Sequence, residues 1–255
     1  MKSMKTGYAS PCRLYRIATI FIVTAVACLT ACSSGSINED AAKQINIYET
    51  YSLADLSSVF NHLNDKAAKD NPDAPTLKQM LHLSQVEEQY EPFKMQDSPY
   101  FKPVIGQVLT ADTAAVNSII DRYGKVFLPS NVKLMWSLKS IKLSDQQEAF
   151  ELIALRTVNE EPIMNGEYLV KAKSKYDSKN GTIISLKFDI AGAQILYRIT
   201  SQNIGKHLAF VAFNKVLSYP YVENPVDNGQ VEIPVNLTEE EAKSFIDCLY
   251  GRTQQ

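Results

Sequence analysis

Leu29-Thr30-Ala31-Cys32 is the stretch whose residue types and spacing point most directly to chemistry. An aliphatic residue and two small ones directly before a cysteine form the pattern of a bacterial lipoprotein signal. Cys32 is therefore the expected lipid attachment site, diacylated on its sulfur and acylated on the amino group that cleavage releases. "AVAC", ending at Cys28, fits that pattern less well, and an ordinary signal peptide with inert cysteines is the plainer alternative. The other reactive residue types suggest no catalytic site. His62, His82 and His207 are the three histidines, and none has a partner at metal-ligand spacing, so solvated or capping roles are expected. There is no G-x-S-x-G elbow, phosphate loop or recognisable cysteine and histidine pairing. Glu87 with Glu88, Glu160 with Glu161, and the run Glu239 to Glu241 read as solvated faces and helix starts. No catalytic residue, metal ligand or cofactor is expected.

The residues before Cys32 support a leader segment. Lys2, Lys5, Arg13 and Arg16 precede an apolar run from Ile17, with no acidic residue in the first 31. Ile17 to Ala27 is too short to span a bilayer, which takes roughly 20 apolar residues, so cleavage is favoured over a retained helix. Several acyl chains, each methylene contributing roughly 0.8 kcal/mol, would make the anchor effectively permanent. Ser33, where an Asp would retain the protein at the inner membrane, points to the outer membrane facing the periplasm. The polar "SSGSINEDAAKQ" reads as a tether, assigned to residues 32–51.

Cleavage before Cys32 leaves 224 residues; removing the four leader cations from 26 basic residues leaves 22 against 28 acidic, a formal charge of −6. That balance excludes nucleic acid as a partner, and the absence of a polybasic patch leaves lipid as the membrane contact. No small-molecule substrate is evident. Cys248 would be the one cysteine left beside Cys32, so no disulfide is expected in the mature chain, and Cys248 reads as a core filler near Ala242, Phe245, Ile246 and Leu249.

Positioning falls to an α+β arrangement. "SLADLSSVFNHLNDKAAK" places Leu53, Leu56, Val59, Phe60 and Leu63 on one helix face behind a Ser52/Asp55 capping box, and "TLKQMLHLSQVEEQY" repeats the device with Thr76 and Gln79. This N-terminal helical pair occupies residues 52–100. Beyond a soft boundary near residue 100, "VIGQVL" reads as a strand, "TADTAAVNSIIDRYG" as a helix closed by Gly124, and "NVKLMWSLKSI" and "AFELIALRTV" as strands. Leu134, Trp136 and Leu138 alternate toward the sheet core. The C-terminal order is strand "TIISLKFD", helix "AGAQILYRITSQN", two strands around a turn at Asn214 and Lys215, strand "GQVEIPVNL", and a helix capped by Thr238 and Glu241 and stopped by Gly251. It describes an antiparallel sheet with helices on one face.

Four pieces of this region, in order, resemble a known family: "GA" at Gly192 and Ala193, "IT..NIGKHLA" from Ile199 to Ala209, "KVLSYP" from Lys215 to Pro220, and "NLTEEEA" from Asn236 to Ala242. They are similar to the first large periplasmic domain of SecD, the SecDF subunit that assists protein export. "DTAAVNSIID", "LPSNVKLMW" and "PIMNGEYLVKAKSKYD" extend the likeness upstream, assigning residues 101–252 to a SecD periplasmic-like region. The resemblance implies a ferredoxin-like base with an inserted head. Phe213-Asn214 replaces the family's Asp-Gly turn, and Asn228-Gly229 its Gly-Gly pair. The family's glycine-rich first strand has no evident counterpart, which leaves the base incomplete or rebuilt by the N-terminal helices.

What the resemblance implies for function is noncatalytic binding of exported or unfolded polypeptide, or of an export component, by a lipid-tethered periplasmic domain. SecDF-like machines are driven by proton flux through their membrane helices, so without a retained span binding here would be passive. The alternative is a docking subunit of an envelope complex with no client of its own.

Overall fold

Three helix starts follow directly from side-chain capping. Ser52 accepts from the Asp55 amide while the Asp55 carboxylate accepts from the Ser52 amide, opening α2 (Leu53–Asp70). The same reciprocal box opens α3 (Leu77–Met80) at Thr76/Gln79 and α6 (Glu239–Leu249) at Thr238/Glu241. Each box satisfies amide donors that a helix N-terminus leaves without intrahelical acceptors. The computed structural model describes residues 36–81, 102–143, 147–178 and 181–252. The expected continuation of the second helix beyond Leu81 lies outside them. Two further helices are α4 (Thr113–Phe127), which runs three residues past Gly124, and α5 (Ile190–Gln202). The short α1 (Glu39–Ala42) precedes β1 (Ile45–Thr50).

β1 corrects the expected tether. Within residues 32–51, Ile45–Thr50 is an inner strand rather than a leash. It pairs antiparallel along one edge with β9 (Leu208–Ala212), and along the other with β5 (Glu148–Arg156) and β6 (Met164–Asn165). β3 (Val132–Trp136) lies on the far side of β5, and β10 (Lys215–Ser218) on the far side of β9. Taking β1, β3, β5 and β9 as the first to fourth strands of a ferredoxin-like unit, the spatial order is fourth, first, third, second. The counterpart of the missing first strand is therefore β1, although it contains no glycine. β2 (Val104–Leu109) and β4 (Ile141–Lys142) extend the sheet along β5.

A second correction concerns the C-terminal strands, which divide between two sheets. β9 and β10 belong to the main sheet, whereas β11 (Gln230–Val235), β8 (Gly181–Phe188) and β7 (Leu169–Asp177) form a separate antiparallel sheet in that order. This smaller sheet, with α6 against it, is the inserted head. Period-two alternation assigns residues to faces but carries no information about partner strands.

The main sheet is buried on both faces. Leu152 and Ala154 of β5 meet α2 and α4 through Leu56, Phe60, Leu63, Val116 and Tyr123, so residues on both sides of position 100 share one core. Ile45, Ile47 and Phe210 meet Leu196 and Ile199 of α5, and this cluster continues through Ile184, Leu186 and Ile233 of the head to Phe245 and Leu249 of α6. On the opposite face, helix-free among the described residues, Tyr48, Met135, Ile153, Leu155, Ala209, Val211 and Val216 pack together. That face curls until Ser137 bridges in parallel to Val216, bringing β3 to β10. Trp136 is only partly buried: with Leu134 it packs on the helical side, Nε1 donating to Asn117 Oδ1 at 3.0 Å, while Met135 enters the opposite core.

The hairpin between β9 and β10 turns at Phe213-Asn214, both at positive φ (51° and 60°), one residue earlier than expected. Positive φ is unusual for a bulky residue, and Phe213 is held by its edge-on contact with Phe245 of α6, ring centroids 6.0 Å apart. Gly192 explains one family piece by close approach. A Cβ there would lie 2.5 Å from Tyr168 Cβ and 2.9 Å from Phe188 Cβ, so α5 reaches β8 only because the position lacks a side chain. Gly192→Ala should cost about 1–3 kcal/mol through overpacking, measured as a lowered urea midpoint at unchanged m-value; an unchanged midpoint would show that α5 does not sit this close to the head.

Candidate functional site

The helix-free face opens between the two sheets. Ser137, Leu138 and Lys139 from the β3–β4 link and Ile141 of β4 form one wall, and Val216–Pro220 form the other. Pro234, Val235, Asn236 and Leu237, leading from β11 to α6, close it from the head side. The cavity encloses about 490 Å³. Three polar contacts tie head to base around it: Ser218 Oγ donates to the Pro234 carbonyl at 2.6 Å, Asn236 Nδ2 to the Ser140 carbonyl at 3.3 Å, and Lys139 Nζ to Glu241 Oε1 at 2.5 Å. Glu241 thus does more than occupy a solvated helix start. One of its carboxylate oxygens completes the α6 cap, and the other holds the base.

Glu151 of β5 forms the floor. It shares the face of Ile153 and Leu155, and the Tyr219 hydroxyl donates to its carboxylate, 3.1 and 3.0 Å from the two oxygens. Burial pushes the Glu151 carboxyl above its ordinary 4.5, opposed by the Tyr219 hydrogen bond, the charge of Lys102 and a hydrogen bond from Gln107. Burial, then the nearby Glu151 charge, pushes the Tyr219 phenol upward. Sequence reading missed both residues. The available signal was a lone acid among apolar neighbours in "AFELIALRTV".

His207 lies behind Tyr219 and is buried at 8% exposure, against its expected solvated or capping role. Nδ1 is 2.8 Å from the Tyr219 carbonyl oxygen, which can only accept, so Nδ1 carries the proton. Nε2 is buried without a hydrogen-bond partner among the described residues. The ring meets Tyr219 and Tyr221 edge-on, with centroids 6.0 and 5.4 Å away. Burial depresses the His207 pKa below 6.5, against the favourable backbone hydrogen bond and with a further push from Lys102. His207 reaches the backbone of Tyr219, not its hydroxyl, so the pair does not form a nucleophile and base.

The remaining sequence-predicted positions are dispersed. His62 is exposed on α2, and Glu160 and Glu161 lie at the turn after β5. Cys32, His82, Glu87 and Glu88 lie outside the described residues. Cys248, expected as a core filler with no disulfide, is instead disulfide-bonded. Among the described residues, no group of three or more His, Cys, Asp or Glu could hold a metal ion, and no helix is long and apolar enough to cross a membrane.

Residues 142–250 match the family described as SecDF, P1 head subdomain. Over that stretch the chain is similar to the SecDF P1 head subdomain. The matched range includes β5, α5, β9 and β10 as well as the head sheet, so it contains the cavity floor, one wall and the head-side segment. The SecD subunit of the protein translocase from Rhodothermus marinus is 31% identical over 147 residues, 57% of this chain and 23% of that protein. The Magnetococcus marinus SecD subunit is 28% identical over 143 residues, 55% of this chain and 26% of its own. This chain spans about a quarter of the length of these relatives. Among solved structures, SecDF in its super-membrane-facing form aligns with a TM-score of 0.35 at 16% identity, covering 83% of this chain and 19% of that one. A SecDF membrane component that enhances protein export aligns at 0.33 and 18% identity, covering 82% and 92%.

The buried pair gives stability a defined pH dependence. Below about 6.5 the unfolded chain takes up a proton that folded His207 resists, so its contribution is lost as pH falls toward the depressed folded-state value. Glu151 has the opposite sign: its contribution is present below about 4.5 and lost as pH rises through its elevated folded-state value. Urea unfolding between pH 8 and pH 5 should show wild-type stability falling below pH 6.5 and His207→Phe, which keeps an aromatic ring against Tyr221, with a flatter acid limb. An equally steep limb in the variant would assign the loss to other groups.

Proposed function

We propose that this chain is a noncatalytic envelope protein, anchored by lipid at Cys32, whose SecD-type region binds polypeptide undergoing export or a component of the export machinery. The observation that carries the reading is the P1 head match over 142–250, which includes the floor, one wall and the head-side segment of a cavity built between two sheets. The relatives are named protein translocase subunits, which supports export as the setting. Binding extended chains requires apolar walls and strand edges rather than reactive groups. The cavity offers Leu138, Ile141, Val216 and Leu237, and exposed Val170, Tyr176, Ile190 and Tyr197 add apolar surface on β7 and α5.

Intact-mass analysis of protein from bacterial membranes should find an acylated residue 32 as the new N-terminus. An unmodified Cys32, or a retained leader, would remove the lipid anchor and the outer-membrane location with it.

Client binding has its own assay. At micromolar concentration the protein lacking its leader should slow aggregation of several unrelated chemically unfolded proteins, and crosslinking in cells should recover diverse exported chains. Protection of none, together with recovery of one partner at fixed ratio, would replace client binding with a docking role.

A further inference from the structure

Glu151 is a carboxylate in an unusual position: it lines a cavity, is largely buried, and is used by none of the ion pairs among the described residues. Its protein hydrogen bonds come from the Tyr219 hydroxyl and Gln107, whereas an ionised carboxylate has about four lone-pair sites. Lys102 lies close enough to favour the charged form without forming an ion pair with it. The lining cation, Lys139, is engaged by Glu241 at the head. The cavity lining therefore combines an acceptor with unused capacity and apolar side chains.

We infer that this cavity takes the basic side chain of an extended polypeptide, its ammonium or guanidinium seated on Glu151 and its methylene stem against the apolar walls. This rests on the polypeptide-binding reading and names what that site selects. A lysine or arginine side chain matches the order of environments, an apolar stem ending in a charged tip. Leu138, Ile141, Val216 and Leu237 face the stem, with Glu151 and the Tyr219 hydroxyl at the floor. The charge match is the reason to favour this occupant over a purely apolar one, because a cation would give the buried carboxylate charge-assisted hydrogen bonds. A polypeptide source is favoured because the rim offers backbone: β4 pairs with β5 along one edge, and Ile141 of β4 lines the cavity.

The test uses fluorescence anisotropy with labelled extended peptides of alternating apolar and small residues, differing at one central position: lysine, arginine, norleucine or glutamate. The wild-type chain without its leader should bind the lysine and arginine peptides about tenfold more tightly than the norleucine peptide and the glutamate peptide more weakly still. In Glu151→Gln, checked for folding by circular dichroism and urea unfolding, the lysine-to-norleucine ratio should fall to near one. Equal binding of lysine and norleucine by the wild type would overturn the subsite while leaving polypeptide binding standing, and so would a preference that survives in Glu151→Gln. Binding of none of the peptides, together with no protection of unfolded proteins, would overturn both. Glu151-dependent binding to phosphatidylethanolamine vesicles without a peptide preference would reassign the carboxylate to a lipid amine and also overturn the proposal. The peptide series on wild-type protein decides the matter even if the variant fails to fold.

Discussion

Backbone pairing of β1 on both edges is the constraint on which the rest of the structure depends. Ile45–Glu49 pair with five residues of β9, from Ala212 back to Leu208, and Glu49 and Thr50 pair with Arg156 and Leu155 of β5. Without β1, the inner edge of β9 and the Leu155–Arg156 end of β5 would be left unpaired, and buried peptide groups without partners are costly. Its side chains are equally committed: Ile45 and Ile47 enter the core shared with α5 and the head, while Tyr48 enters the helix-free face. A segment directly following a polar stretch thus joins the central strands of the base.

The cavity follows from that arrangement. Curling of the helix-free face brings Ser137 to Val216; β7 and β8 of the head lie between β5 and α5 in the chain, whereas β11 and α6 follow β10, so the β11–α6 connection returns against the same place. The contacts between head and base are of two kinds. The continuous apolar cluster through Phe245, Ile233 and Leu196 supplies cohesion, whereas the half-exposed Lys139–Glu241 pair is worth little by itself and acts as a geometric link. A buried carboxylate at the floor works against stability at neutral pH, and that cost is retained where binding chemistry would need a charge.

Local chemistry was the most legible part of the sequence. The Ser52/Asp55, Thr76/Gln79 and Thr238/Glu241 boxes, the helix stop at Gly251 and most strands are encoded within a few residues of themselves, and the structure contains them. The SecD resemblance carried the fold class. What was not legible is non-local. "INIYET" is short and follows a polar segment, and nothing in it states that β9 lies more than 150 residues away in the chain. The division of strands between two sheets was hidden for the same reason. Candidate-site residues were harder still: Glu151 and Tyr219 meet only because the sheet curls until β10 reaches the end of β3, and burial of His207 depends on Tyr219 and Tyr221 folding over it.

Native-state hydrogen exchange, resolved to single amides, tests the central claim most directly. The paired amides within Ile45–Glu49 should exchange only with global unfolding, at the same free energy as those of β5 and β9. Exchange of that segment at the rate of an unstructured chain, with β5 and β9 still protected, would contradict it and return residues 32–51 to the role of a leash.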